Sequence, residues 1–326
     1  FIVEIKIRIS FVGGGSDMPS FYERNYGAVI SASINKFIYL TVNKKFGNDI
    51  RVSYSKTEIT DSVDKIKHPL FRECLRKCQI NKSIEISSLA DIPAKGTGLG
   101  SSSAFTVGLL KALYSHKGIN KSNDNLAEEA CDIEINKCNE PIGKQDQYGT
   151  AIGGIKELTF NKDGAVKINK FTLPQNRLKN FKDNLLILFT GKTRSASEIL
   201  EKQSKVLDSN NKKRQTMIEM VNLVKDFKYE LITGDISNLG EILHENWIRK
   251  LSITDSVSNS WINEAYEIAM LSGAKGGKIL GAGNGGFFLF FADPKYHNDI
   301  ITNLPNMKKF DFSFETKGSS LVYSDQ

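Results

Sequence analysis

Residues 93–104 read PAKGTGLGSSSA, a glycine-rich turn that empties directly into an amphipathic helix. Gly96, Gly98 and Gly100 permit positive φ and close backbone approach. Ser101, Ser102 and Ser103 fall where a helix leaves unpaired N–H groups. The dipole and free amides of such an N-terminus favour phosphate, so the stretch reads as an anion site that a polyphosphate would satisfy. Phe105, Leu109, Ala112 and Leu113 recur on one face and predict a buried helix over 102–115. Nothing here matches G-x-x-x-x-G-K-[ST], and no G-x-G-x-x-G follows a well-formed strand, so neither common nucleotide fingerprint applies. The plain alternative is a glycine-rich connection with a serine N-cap.

Two further glycine-rich segments weigh against that alternative. GGGSD, residues 13–17, follows a stretch in which Val3, Ile5, Ile7 and Ile9 alternate with Glu4, Lys6, Arg8 and Ser10. This is a strand with one buried face, which puts Arg8 on the other face, and Asp17 is placed to cap a short segment beginning near Met18. The third segment, KGGKILGAGNGG over 275–286, reads as a glycine turn before the continuous apolar strand FFLFF.

Between these markers the chain divides by texture. Strands are expected over 29–42, 51–55, 83–88, 155–160, 166–168 and 185–190, with helices over 102–115 and 125–138. The later part predicts helices over 195–207, 216–231, 236–250 and 258–271, then a final strand pair near 310–316 and 320–324. A domain boundary is placed so that residues 1–184 and 185–326 form the two halves. No internal repeat or low-complexity tract is visible.

With 326 residues and 40% hydrophobic content the chain can bury a proper core. No apolar run approaches the roughly 18 residues that span a bilayer, and the opening FIVEIKIRIS alternates like a strand instead of showing a signal-peptide block. A cytoplasmic location without membrane attachment is the expectation. Cys74, Cys78, Cys131 and Cys138 show no zinc spacing with His68, His116, His244 and His297; they are expected to be reduced core thiols and ordinary surface histidines. Lys and Arg number 44 against 37 Asp and Glu, a net charge of +7. That suits anionic small molecules or nucleic acid alike, but the charge is diffuse and no basic block is interleaved with aromatics, so nucleic acid is the weaker partner.

The order GGGSD, PAKGTGLGSSSA, GAGNGG over the whole chain resembles the GHMP kinases, the superfamily of galactokinase, homoserine kinase and mevalonate kinase. The resemblance covers nearly the full length. It implies an α+β architecture: an N-terminal ribosomal-protein-like αβ domain, a C-terminal ferredoxin-like αβ domain and an active site in the cleft between them. ATP would be the donor, with Lys95, Gly96, Gly98, Leu99, Gly100, Ser101, Ser102 and Ser103 around its triphosphate. Gly281–Gly286 would support that loop from the other domain, and Gly14, Gly15, Ser16, Asp17 and Gly283 would meet the acceptor. A homodimer is compatible with the family.

Transfer to a hydroxyl requires a carboxylate near the acceptor, a cation to meet developing charge and oxygen ligands for magnesium. The segment EINKCNEPIGKQDQYG supplies Glu134 and, twelve residues on, Asp146. GKQDQ resembles the galactokinase-type turn that carries the family's catalytic aspartate, which assigns Asp146 to the acceptor hydroxyl as base or orienting group. Glu134 then corresponds to the Mg²⁺ glutamate. Ser102 resembles the serine that completes the metal site, with Ser101 as its alternative. Arg8 matches the arginine that stands beside the catalytic aspartate. Without the resemblance, each would read as a solvated glutamate, a helix cap and an exposed strand arginine.

Within the superfamily RISFVGGGSD, FTGKTRSASEIL and GGKILGAGNGGF look most like the D-glycero-D-manno-heptose 7-phosphate kinases, which phosphorylate an anomeric hydroxyl. A phosphorylated sugar needs a second anion site. Lys192, Arg194, Ser195 and Ser197 cluster at a helix start that could hold it, and Lys278 could reach the same cleft. Asn284, where a smaller residue is more common, would either crowd the loop or only edge it. The competing readings are a kinase of an unphosphorylated sugar such as galactose or fucose, a non-catalytic sugar sensor on the same scaffold, and an RNA-binding module.

Overall fold

The computed structural model describes residues 1–93 and 96–324. Two sheets organise it. The first contains β1 (Ile2–Val12), β2 (Gly27–Lys44), β3 (Ile50–Ser53), β4 (Thr57–Thr60), β5 (Ile84–Ala90), β6 (Ile155–Phe160), β7 (Val166–Phe171) and β12 (Ser320–Tyr323). The second contains β8 (Leu185–Phe189), β9 (Ala274–Ile279), β10 (Phe287–Ala292) and β11 (Lys308–Lys309) in the order β11-β8-β10-β9. Around them lie α1 (Pro19–Tyr22), α2 (Pro69–Lys77), α3 (Ser101–His116), α4 (Asn123–Cys131), α5 (Gln145–Ala151), α6 (Gln175–Asp183), α7 (Ala196–Ser209), α8 (Asn211–Ile232), α9 (Leu239–Ile253), α10 (Ser260–Leu271) and α11 (His297–Asn303). Among the described residues only β3 with β5 pairs in parallel, so the fold is α+β.

The long β2 is the spine of the first sheet. Its early residues pair with β6 and its later ones with β5, while β1 runs antiparallel along nearly its whole length. Val3, Ile5, Ile7 and Ile9 are fully buried as their alternation requires, yet Lys6, Arg8 and Ser10 are buried too. The expectation of one wet face is therefore corrected: helices α3, α5 and α8 pack on β1 and cover both sides. Phe11 stacks on Phe227 of α8 with ring centroids 5.4 Å apart, whereas Gly149 of α5 lies against the aliphatic stem of Arg8.

The second sheet starts at Leu185, but the chain does not end in that half. Phe314 bridges to Ile34, and β12 returns to pair with β1. The expected closing strand pair is thus no hairpin; its second member completes the first sheet. Residues 275–279 are likewise not part of a turn, because they form β9 antiparallel to β10. The glycines of β9 make it read as a turn in sequence, and packing accounts for them: a Cβ on Gly276 would strike the Gly240 carbonyl of α9. The four cysteines are free and the first three buried, as expected. The histidines, by contrast, are partly buried; Nδ1 of His244 lies 2.9 Å from the Tyr266 hydroxyl. No helix among the described residues is long and apolar enough to cross a membrane.

Candidate active site

The turn at 96–100 delivers the chain into α3, whose N-cap is Gly100 at φ 75°. Gly98 shows why glycine is needed: at φ +79° an added Cβ would collide with the Leu280 carbonyl. Gly281 approaches Gly98 beside Leu280, and Gly286 lies against the Thr97 carbonyl. The third glycine motif therefore backs the first helix-opening turn through direct backbone contact. Lys95 lies outside the described residues. Ser101 is nearly buried, with its hydroxyl 3.1 Å from that of Thr97, while Ser102 is exposed at the helix start.

Leu99, at the centre of this turn, gives its carbonyl to the Arg8 backbone N–H at 3.1 Å, and Gly98 gives its own to Arg8 Nη1 at 2.8 Å. The same guanidinium donates from Nε and Nη2 to Asp146 Oδ1 at 3.0 and 2.5 Å. Arg8, buried to 1% exposure, thus ties the phosphate-type loop to a carboxylate that is one-third exposed. Asp146 stands in the first turn of α5. Asp17 fixes that helix from the GGGSD turn: Oδ2 accepts from Gln145 N–H at 3.1 Å, and Oδ1 from Gln145 Nε2 at 2.9 Å and from Gly15 N–H. The expectation that Asp17 caps the segment after Met18 is corrected, since α1 has no side-chain cap; the carboxylate caps α5 instead. Burial, and next the charge of Asp146, push its pKa up. Ser16 uses its hydroxyl on the Ala28 N–H and C=O.

Glu134 sits in a wide-turn π segment, Asp132–Lys137, that continues α4. Such segments insert one residue per turn and re-aim side chains. Here the carboxylate points inward and is 1% exposed. It accepts from Ser103 Oγ at 2.7 Å, Thr106 Oγ1 at 2.8 Å and Gln147 Nε2, with Ser102 Oγ farther off at 3.5 Å. Desolvation raises its pKa to about 7, against these hydrogen bonds, which lower it. Ser103, rather than Ser102 or Ser101, is the serine bound most closely to Glu134. Among the described residues no cluster of three or more acidic, histidine or cysteine side chains forms a protein-only metal cage. A nucleotide-bound magnesium does not need one, because it takes one or two carboxylates and fills its shell with phosphate oxygens and water. One buried carboxylate flanked by hydroxyls at the mouth of a phosphate-type loop fits that requirement.

The proposed second anion cluster is partly dispersed. Lys192 lies over the Trp261 ring at 4.4 Å, and Ser197 donates to Glu140 at 2.8 Å. Ser195 is exposed just before α7 and caps nothing. Arg194 is directed inward, with Nε donating to the Gly283 carbonyl and Nη2 reaching the Leu280 carbonyl at 3.5 Å. Burial first, then the neighbouring Arg8 charge, lowers its pKa to about 10, so it remains a cation and lies within the field of Asp146. Lys278 does not reach the cleft: it is 1% exposed and donates to the Phe11 carbonyl at 3.1 Å. Asn284 only edges the loop. It takes φ 58° and accepts from Asn259 at 2.5 Å, facing α10.

Sequence reasoning missed Lys250, Asn246 and Gln203. Lys250 Nζ lies 3.3 Å from the Gly281 carbonyl, in the field of Asp17, Arg194, Arg8 and Asp146. Asn246 Oδ1 accepts from Gly13 N–H at 3.0 Å, and Gln203 packs on Gly15. A signal was present. Buried Leu239, Leu243, Trp247 and Ile253 set the inner stripe of α9, and Asn246 and Lys250 lie on that stripe. Gln203 stands midway between buried Ile199 and Leu207 on α7. Polar residues at apolar positions of a helical pattern need a reason for being buried.

Comparison with known proteins agrees with this geometry. Residues 65–154 match the family model for the GHMP kinases N terminal domain and residues 227–307 that for the GHMP kinases C terminal. The chain is 28% identical over 334 aligned positions to the D-glycero-alpha-D-manno-heptose 7-phosphate kinase of Campylobacter jejuni, covering 96% of both proteins. It is 24% identical to the bifunctional fucokinase/GDP-fucose pyrophosphorylase of Arabidopsis thaliana, over 95% of this chain and 31% of that protein. Its fold superposes on that of a D-glycero-D-manno-heptose 1-phosphate kinase from Bacteroides thetaiotaomicron with a TM-score of 0.80, 23% identity and 99% coverage of each chain.

Proposed function

The chain belongs to the GHMP kinases, and from that premise we propose that this ATP-dependent sugar kinase phosphorylates the anomeric hydroxyl of D-glycero-D-manno-heptose 7-phosphate to give the 1,7-bisphosphate. The observation that carries the reading is the bond of Arg8 to Asp146 Oδ1, made beside the glycine turn and beneath the GGGSD segment. A held carboxylate beside the glycine turn supports reading Asp146 as the group that meets the acceptor hydroxyl. The likeness to the heptose 7-phosphate kinase over 96% of both chains supports the choice of sugar.

In this reading the loop amides at 96–103 and the start of α3 hold the triphosphate. Asp146 accepts the hydrogen bond of the acceptor hydroxyl and takes its proton as the new O–P bond forms. The bond from the γ-phosphorus to its bridging oxygen breaks, and ADP leaves with that electron pair. Arg8 meets the charge gathering on the phosphoryl oxygens while fixing the aspartate. Glu134, with Ser103 and Ser102, would hold Mg²⁺, which would supply neutralisation of the phosphate charge. Arg194 and Ser195 would receive the 7-phosphate. A second reading, an unphosphorylated acceptor, is favoured by the engagement of Arg194 with the Gly283 and Leu280 carbonyls. An ADP-release screen over heptose 7-phosphate, galactose, fucose and mannose separates the two. The proposal expects turnover with the heptose phosphate at least tenfold above any unphosphorylated sugar, and the reverse order overturns it.

A further inference from the structure

The GGG turn is bordered by buried polar groups that have nothing to bond. Gln203 is 1% exposed, and neither its Oε1 nor its Nε2 has a hydrogen-bond partner. Ser10 Oγ, Gln145 Oε1 and Asn246 Nδ2 are equally without partners. Lys250 is 2% exposed and uses one of its three donor positions, on Gly281. These five side chains come from β1, α5, α7 and α9, four elements with no sequence relation, yet each adjoins Gly13, Gly14 or Gly15.

Gly14 gives the arrangement a focus. Unlike its neighbours it has no positive φ and no backbone clash at the Cβ position. A Cβ there would lie 3.7 Å from Ser10 Oγ and 3.9 Å from both Gln145 Nε2 and Lys250 Nζ. Three polar groups thus lie within contact distance of the one glycine of the turn that neither backbone conformation nor a steric clash requires to be glycine. Leaving buried donors and acceptors unmade is costly, so a run of them on one turn points to a ligand that bonds them.

We propose that Gln203 and Lys250, with Ser10 and Gln145, are the acceptor-reading residues of this kinase, and that the part of the acceptor they receive is a neutral run of hydroxyls. This rests on the sugar-kinase reading above and names residues for it. The composition of the wall favours a neutral ligand. Gln203, Gln145, Asn246 and Ser10 present amides and a hydroxyl, and the one cation among them, Lys250, stands in the fields of Asp17 and Asp146 as well as of Arg194 and Arg8. A carboxamide bonds adjacent hydroxyls as donor and acceptor at once. An acceptor's own phosphate is left to Arg194, which donates to the Gly283 carbonyl beside this wall.

The test uses the full chain and the Gln203→Leu variant, which keeps the volume and removes both polar atoms. Thermal unfolding is followed with a non-hydrolysable ATP analogue alone, then with heptose 7-phosphate, mannose, galactose or fucose added. Saturation kinetics are run on whichever sugar stabilises the wild type. The proposal expects Gln203→Leu to keep the shift caused by the ATP analogue, to lose the sugar-induced shift, and to show a sugar KM raised 10- to 100-fold with an ATP KM within twofold. Gln203→Glu, which restores an acceptor, should recover part of the sugar shift. A variant that keeps the full sugar shift overturns the assignment and leaves the amide to ordered water. A variant that loses sugar and nucleotide together overturns it as a structural effect. A wild type that responds to nucleotide and to none of the sugars overturns the sugar-kinase reading itself.

Discussion

Arg8 donates twice to one oxygen of Asp146, Oδ1, from Nε at 3.0 Å and from Nη2 at 2.5 Å. Among the described residues no donor reaches Oδ2. The aspartate is therefore held through one oxygen, which leaves the other without a protein donor on a side chain that is one-third exposed.

Asp146→Asn follows directly. The amide oxygen can still accept from Arg8, so the pair persists, but the second position becomes an NH2 that donates and cannot take a proton. The expected result is a fall in kcat of about 10²-fold or more, in the range for losing a positioned acid–base group. ATP affinity should change little. Wild-type turnover under saturating substrates would remove Asp146 from the chemistry.

Glu134→Gln bears on the metal. The carboxylate is almost wholly buried and bonded by Ser103, Thr106 and Gln147, so a glutamine fills the same space without the charge. The variant should fold, and its turnover at limiting Mg²⁺ should fall about tenfold or more, with partial recovery as Mg²⁺ is raised. Equal activity for both proteins across a Mg²⁺ titration would mean that the glutamate only orders α3 against α5.

The glycine segments were the legible part of this site, because each must meet another backbone. Gly98 packs on Leu280 and Gly281, and such contacts leave only one residue type free to occupy the position. Asp146 and Glu134 were legible only through their order relative to those segments, since a helix-start aspartate or an in-helix glutamate is common in itself. Asp17 was misread because its partner lies 128 residues away at Gln145, and a local cap is the nearer explanation for any Asp before a helix. The burial of Arg8 on β1 was hidden for a similar reason: its cover, Gly149 of α5, lies far along the chain. Lys250 carried a readable sign, its place on the inner stripe of α9, but what it faces is set by tertiary contacts.

Lys250 should also mark the pH dependence of stability. Burial first, with Arg194 and Arg8 adding to it against Asp17 and Asp146, lowers its pKa from 10.5 to about 8. In the unfolded chain the lysine keeps its proton up to about 10.5, whereas in the folded protein it releases it near 8. Between those values the unfolded state binds more protons, so stability rises with pH across that window. Below pH 8 the full cost of the buried charge is present, about 3 kcal/mol for such a displacement. Urea unfolding of wild type and Lys250→Met at pH 7.5 and 10 should show the wild type gaining on the variant as pH rises. A constant difference between the two proteins would mean that the lysine keeps its proton throughout.

Arg194 decides the acceptor's charge. A sugar phosphate brings about two negative charges beside those of ATP, and placing them without compensation in a partly desolvated cleft would cost several kcal/mol. Arg194 is suited to offset them because its guanidinium remains cationic and carries five donors in a planar fork, of which Nε is used on Gly283 and Nη2 reaches Leu280 only at 3.5 Å. Those same contacts brace the turn behind Gly98, and the Arg194 backbone lies against Gly96, so truncation also reaches the nucleotide loop. Arg194→Ala should raise KM for heptose 7-phosphate by about 10- to 100-fold, the loss expected of charged hydrogen bonds, and KM for ATP by a smaller factor. Some kcat should go with it, because binding energy from a remote phosphate also orients the reacting hydroxyl. Paired saturation curves in sugar phosphate and in ATP measure both effects. Equal losses would confine Arg194 to bracing the glycine turn, and an unchanged sugar KM would make an unphosphorylated sugar the natural acceptor.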